Sequence, residues 1–284
     1  MKKKIVKIIA LVTALLLIGG LSWFANAMVG NPVSRWLATR TAKTYLAEQY
    51  AGTDYEIYEV MYSFKDGNYY AKVNSPSSGD TDFYFRVNLG GKLLYDSYES
   101  LVANGQNTAH RLYSEYRALT DPVFDSPEFP YIADICYGDL QFRSREWPVT
   151  EFPYGYVMEE LELDGVYDVG ELGKTSARLV VYVDDETVTV ERAAEIMLDI
   201  KNRMDAIGAG FYVMDFVLEY PRPAEGEEAR EGRVETMDFL YADIYEEGMV
   251  ERVRSANEEA ESYHAARDAE WQKWLEENGQ TMEE

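Results

Sequence analysis

The sequence predicts an α+β protein: an apolar N-terminal helix, a unit in which one helix packs on an antiparallel sheet, and a second α+β domain closed by a long C-terminal helix. Three observations carry this expectation. Residues 8–30 form an uncharged, largely apolar run behind four lysines. Residues 55–95 alternate apolar and polar side chains in short segments separated by turn residues. Residues 189–207 and 249–275 repeat apolar residues at helical spacing. The expected divisions are 1–30 for the anchor or signal segment, 31–106 for the helix-plus-sheet domain and 107–284 for the second domain.

Lys2, Lys3, Lys4 and Lys7 precede the stretch from Ile8 to Gly30, which only Thr13, Ser22 and Asn26 interrupt. As a helix rising about 1.5 Å per residue it would reach about 34 Å, enough for a hydrocarbon core of about 30 Å. The lysines place the N-terminus in the cytoplasm and the rest outside. The expectation is a single-pass protein of the cell membrane, held through residues 8–30. The alternative is secretion after cleavage near Ala27, because Ala25-Asn26-Ala27 fits a small-x-small site. The anchor is favoured, since the run exceeds the usual signal core of about 7–15 residues and Trp23 and Phe24 crowd the site. No cysteine follows the run, which excludes a lipid-modified cysteine anchor.

Beyond residue 30, 23 basic residues face 51 acidic ones, a formal charge of −28. Such a surface excludes nucleic acid as a partner, because phosphates demand a basic face. Solubility outside the cell is the plainer account of the charge. Cys136 is the single cysteine, so no intramolecular disulfide forms, which suits a bacterial cell envelope better than a disulfide-dense secreted domain.

Asn31-Pro32 is an N-cap followed by proline at the first helical position, and Val33, Trp36, Leu37, Tyr45, Leu46 and Tyr50 follow at helical spacing up to Gly52. Next comes a strand with Tyr55 and Ile57 on one face and Tyr58, Val60 and Tyr62 on the other. Asp66-Gly67 turns the chain into Tyr69–Val73, the Ser75–Gly79 loop leads to Phe83–Leu89, and Gly90-Gly91 leads to a short strand at Leu93–Tyr95. The helix should bury its stripe across this sheet. From Asn107 a helix carries Leu112, Tyr116 and Leu119 until Pro122 breaks it. Thr189 caps a helix running to Gly208 between strands at 177–183 and 211–218, an arrangement open to parallel or antiparallel pairing. Residues 221–232 form a loop, a strand is expected at Met237–Tyr245, and a long helix spans Met249–Leu275.

Chemistry is sparse. His110, His264 and Cys136 share no ligand spacing, so no metal and no cofactor are expected. Asp164, Gly165 and Asp168 lack the remaining carboxylates of a calcium loop and suit a turn. Asp184, Asp185 and Glu186 complement a helix dipole. His110 beside Ser114 is a spacing any amphipathic helix yields, and no nucleophile elbow or phosphate-cradling glycine loop occurs. No catalytic residue is therefore assigned, and the protein is expected not to be an enzyme. Among 51 acidic residues some carboxylates will always pair, so a glycosidase-like dyad has no diagnostic value. Exposed tyrosines could form a sugar-binding or peptide-binding platform, although tyrosines alternating in strands more often pack sheets.

Trp23, Asn31-Pro32, Ala42-Tyr45-Leu46, Tyr55, Tyr62, Tyr69-Tyr70, Ser75-Pro76-Ser77-Ser78, Asn107-Thr108, Arg111 and Glu115-Tyr116-Arg117 together resemble the YfjL-like family of bacterial membrane-anchored proteins. The first unit also resembles PepSY and cystatin-like α+β domains. The resemblance implies an envelope location and two extracytoplasmic units, without catalytic residues. The expected function is a membrane-anchored extracytoplasmic module, non-enzymatic, that interacts with or regulates an envelope protein. The alternative is a carboxylate-dependent hydrolase acting on an envelope polymer.

Overall fold

The computed structural model describes residues 2–148, 153–223, 226 and 228–277. It is α+β, in the order α1 (Lys2–Val29), α2 (Pro32–Gln49), β1 (Glu56–Ser63), β2 (Asn68–Ser75), β3 (Ser78–Val87), β4 (Leu93–Asp96), α3 (Gln106–Phe124), β5 (Ile132–Leu140), β6 (Phe142–Arg143), β7 (Tyr156–Val157), α4 (Val169–Ser176), β8 (Ala177–Asp184), α5 (Val190–Ala206), β9 (Val213–Glu219), β10 (Arg233–Leu240) and α6 (Met249–Glu277). Two compact units divide the chain: residues 1–108 with 161–165, and residues 109–160 with 166–284.

Among the described residues no helix is long and apolar enough to cross a membrane, so the transmembrane helix expected over 8–30 is not found. The side chains of residues 8–10, 21–23 and 25–27 lie outside the described ones. The unbroken described run, 11–20, is half the length of about 20 residues that a span needs. Within it Leu11, Leu15, Leu16 and Leu17 are exposed.

In the first unit Asn31 caps α2 by accepting the Ser34 N–H at 2.8 Å. The Tyr69 hydroxyl ties this start to β2, accepting from Asn31 N and donating to Asn31 O, both at 2.9 Å. The buried stripe of α2 consists of Ser34, Ala38 and Ala42, with Tyr45 and Leu46 packed beside them. Trp36, expected on that stripe, is 58% exposed beneath the Arg40 guanidinium. Small residues let the helix approach a sheet already filled with rings. That sheet is antiparallel throughout, in the order β1-β2-β3-β4. Its covered face carries Val60, Tyr69, Ala71, Val73, Phe83, Phe85 and Val87. A bulge between Ile57 and Glu59 corrects the expected alternation: Ile57 joins Val60 and Tyr62 against the core, while Tyr58 faces solvent. Residues 161–165 complete this unit. Asp80 N donates to Asp164 Oδ1 at 2.9 Å, and Asp164 N donates to Asp80 Oδ2 at 3.1 Å. Asp164 needs its positive φ of 56° for this turn.

The second unit is built on the sheet β10-β9-β8-β5. Strands β8 and β9 are parallel, joined by α5, which settles the pairing that loop lengths leave open. Leu179, Val181, Val183, Phe216 and Leu218 are buried on the face beneath Ile196, Met197, Ile200 and Met204 of α5. Helix α6 covers the β10 edge, where Glu235 N donates to Asn257 Oδ1 at 2.8 Å. Two expectations are corrected here. Helix α3 runs through Pro122 to Phe124, since a proline in the last turn removes one backbone hydrogen bond and leaves those before it. Strand β10 lies at Arg233–Leu240 rather than Met237–Tyr245, because the charged Arg233 and Glu235 conceal its start.

Candidate functional site

The surface with the richest binding chemistry is the open face of the first sheet, opposite α2. Alternation sends Met61 of β1, Tyr70 and Lys72 of β2, Tyr84 and Arg86 of β3 and Tyr95 of β4 to this side. Register sets Tyr70 against Arg86, and Arg86 against Tyr95. The rings form a diagonal row, with centroids 5.2 Å apart for Tyr70 and Tyr84 and 6.2 Å for Tyr84 and Tyr95. Met61 and Tyr95 are exposed, as is Tyr58 at the bulge.

Hydrogen bonds fix these rings at their rims. Tyr70 Oη donates to Asp66 Oδ2 at 2.6 Å, Tyr58 Oη to Asp82 Oδ2 at 3.1 Å, and Tyr95 Oη lies 2.8 Å from Ser100 Oγ. The Tyr70 and Asn68 hydrogen bonds hold the Asp66 carboxyl far below the usual carboxylate range. Lys72 is paired with Glu59 at 2.8 Å. Arg86 is different: its Cζ lies 5.7 Å from the Tyr95 centroid, and its buried Nε has no hydrogen-bond partner. Such a face can bury aromatic area and accept an anion on a half-buried guanidinium.

The second unit holds polar clusters whose members satisfy one another. Arg178 bridges Asp215 (3.0 Å), Asp238 (2.5 Å) and the Tyr154 hydroxyl (2.6 Å). Asp238 N closes the β10 bulge on Asp215 Oδ1 at 2.8 Å, and burial raises the Asp215 pKa. His264 of α6, which shares no ligand spacing in the sequence, lies 3.0 Å from Glu235 Oε2, which Arg233 also reaches at 3.2 Å. The separation of 29 positions between Glu235 and His264 leaves no local signal for that pair. The groove of about 290 Å³ between β10 and α6 is lined by Met237, Asp238, Asp243, Arg252 and Glu259, not by His264 or Glu235.

The other singled-out residues stay apart. His110 is exposed and stacks on Tyr113. Gly165 N donates to Glu162 O at 2.9 Å in a turn, and Asp168 caps α4. Asp185 holds Arg192 of α5 at 2.9 Å. Among the described residues no group of three or more His, Cys, Asp or Glu is placed to hold a metal. Cys136 lies within β5, and burial pushes its thiol up to about 11 from an ordinary 9.0. At pH 8 its thiolate fraction is therefore about a hundredfold below that of a free thiol. Iodoacetamide is expected to alkylate Cys136 rapidly in denaturant and at least tenfold more slowly in the native protein. Equal rates would contradict the buried thiol.

Two family models match the chain: one described as YfjL-like, N-terminal domain, over residues 2–97, and one described as YfjL-like C-terminal domain, over residues 115–254. Searches of curated proteins and of solved structures returned no match.

Proposed function

The chain belongs to the YfjL-like family, carrying its N-terminal and C-terminal domains in order, and from that premise we propose that it is a non-enzymatic protein-interaction module held at the outer side of the cell membrane. The observation that carries this reading is the open face of Tyr70, Tyr84, Tyr95, Met61 and Arg86. Tyrosine, methionine and arginine are the residue types enriched where proteins bind one another. The likeness of this unit to PepSY and cystatin-like domains belongs to the same reading.

The membrane attachment rests on the lysine-flanked run 8–30, which lies almost wholly within the 28-residue α1. Its exposed leucines suit lipid better than water. The hydrolase alternative is less well supported, because Asp215 and Asp238 are engaged by Arg178, and Glu235 by His264 and Arg233.

Fractionation tests the location. The protein is expected in the membrane pellet after a high-salt wash, since apolar attachment is insensitive to screening. Protease added to intact cells should remove residues beyond 30. Release by salt, or digestion only after lysis, would contradict the anchor and its orientation; a soluble species starting at Met28 would establish cleavage after Ala27. Cysteine-free function provides a further check on the non-enzymatic reading: C136A, H110A and H264A are each expected to retain whatever phenotype the intact protein confers.

A further inference from the structure

We propose that the open face of the first sheet takes an aspartate or glutamate side chain of a protein partner onto Arg86, between the rings of Tyr70 and Tyr95; this rests on the reading of the chain as an interaction module. Arg86 forms no ion pair among the described residues, although the chain has 51 acidic residues. Its neighbour Lys72 is already engaged by Glu59, and the Nε of Arg86 is buried without an acceptor. A buried donor lacking a partner is costly, and a planar guanidinium matches the two oxygens of a carboxylate.

Charge distribution weakens the obvious objection that an acidic protein repels an acidic partner. Beyond residue 30 the first unit, residues 31–108 with 161–165, holds 7 basic and 11 acidic residues, a formal charge of −4, against 16 basic and 40 acidic residues, or −24, on the second unit. An approaching carboxylate therefore meets only a small part of the chain's negative charge on the first unit itself. A polyanion is a poorer fit, since Arg86 is the one cation of the ring row without a carboxylate partner among the described residues and phosphate chains need a basic stripe. A glycan is also disfavoured. Adjacent rings are inclined by 54° for Tyr70–Tyr84 and 51° for Tyr84–Tyr95, so they offer no continuous flat surface for sugar rings. Inclined rings leave pockets between them that suit protruding side chains, with edge-to-face packing against aromatic partners.

The test uses the full chain in intact cells, with a benzophenone amino acid at Met61, which is 41% exposed on this face. After irradiation the attachment point is mapped by mass spectrometry. The expected adduct is with a protein segment containing Asp or Glu, reduced at least tenfold by Arg86→Glu and by Arg86→Gln. Changing the partner's carboxylate to arginine should restore it in the Arg86→Glu background. Hydrogen exchange of β2 and β3 in Arg86→Gln, unchanged from the parent, shows that the loss is not misfolding. A protein adduct indifferent to both substitutions would overturn the carboxylate assignment while leaving the interaction reading standing. A glycan adduct, or none, would overturn both.

Discussion

Replacing Gly173 by alanine is expected to unfold the second unit, at a cost of about 3 kcal/mol or more. A methyl group built on Gly173 falls against the carbonyl oxygen of Gly210, well inside van der Waals contact, and 2.9 Å from the Tyr116 ring. One turn earlier, Gly170 meets the carbonyl oxygen of Gly208 in the same way. Both obstacles are backbone, which cannot rotate aside as a flexible side chain would. Moving the 208–210 segment would also cost the hydrogen bond from the buried Tyr116 hydroxyl to Gly210 O, 2.8 Å long. Hydrogen exchange read over β8 and β9 should show the protection lost in Gly173→Ala. Gly52→Ala serves as the control: nothing lies within 4 Å of its added methyl, so only the strain of φ +88° remains, about 1 kcal/mol. Equal effects of the two substitutions would refute the contact argument.

Phe85→Ala is expected to destabilise the first unit by about 3–5 kcal/mol. Phe85 is fully buried, with its ring 5.0 Å from Tyr45, 5.5 Å from Phe83 and 6.2 Å from Tyr50. Rings held from both the helix and the sheet cannot close the space its removal would leave. Denaturant unfolding followed by hydrogen exchange in β2 and β3 measures the loss. Trp36→Asp should change the same readout by less than about 0.5 kcal/mol, because that ring lies on the solvent side of α2. A large effect of Trp36→Asp with a small one of Phe85→Ala would invert the packing described for this helix.

The first sheet was legible because Phe83, Phe85 and Val87 alternate without interruption, and α5 because Thr189 caps a regular apolar stripe. Three features were not. Large apolar residues suggest the buried stripe of α2, whereas Ser34, Ala38 and Ala42 form it; small side chains carry little hydropathy signal, and their value lies in how closely they let helix and sheet approach. The bulge at Tyr58 was hidden because an extra residue changes the parity of every position before it. The tyrosine face was half visible. A period of two shows that Tyr70 and Tyr84 lie opposite the buried residues of their strands, but tyrosine suits either side, so ring row and cation come together only through cross-strand register. Arg86 could have been noticed as the single charge in the run from Phe83 to Leu89.

The reciprocal bonds between Asp80 and Asp164 make the first unit a nested object rather than the first of two beads. Its sheet is fully synthesised by residue 96, yet the N–H and carboxylate of Asp80, 2% exposed in the finished fold, meet the carboxylate and N–H of Asp164 only when residue 164 arrives. At about 5–20 residues per second of synthesis, the stretch from 108 to 164 imposes a wait of several seconds. During that interval the β3 end of the sheet is open, and residues 109–160 must emerge before it can close. The last step in folding the N-terminal unit is therefore timed by chain that belongs to its neighbour, and an early stop near residue 108 would release a sheet still lacking its final clasp.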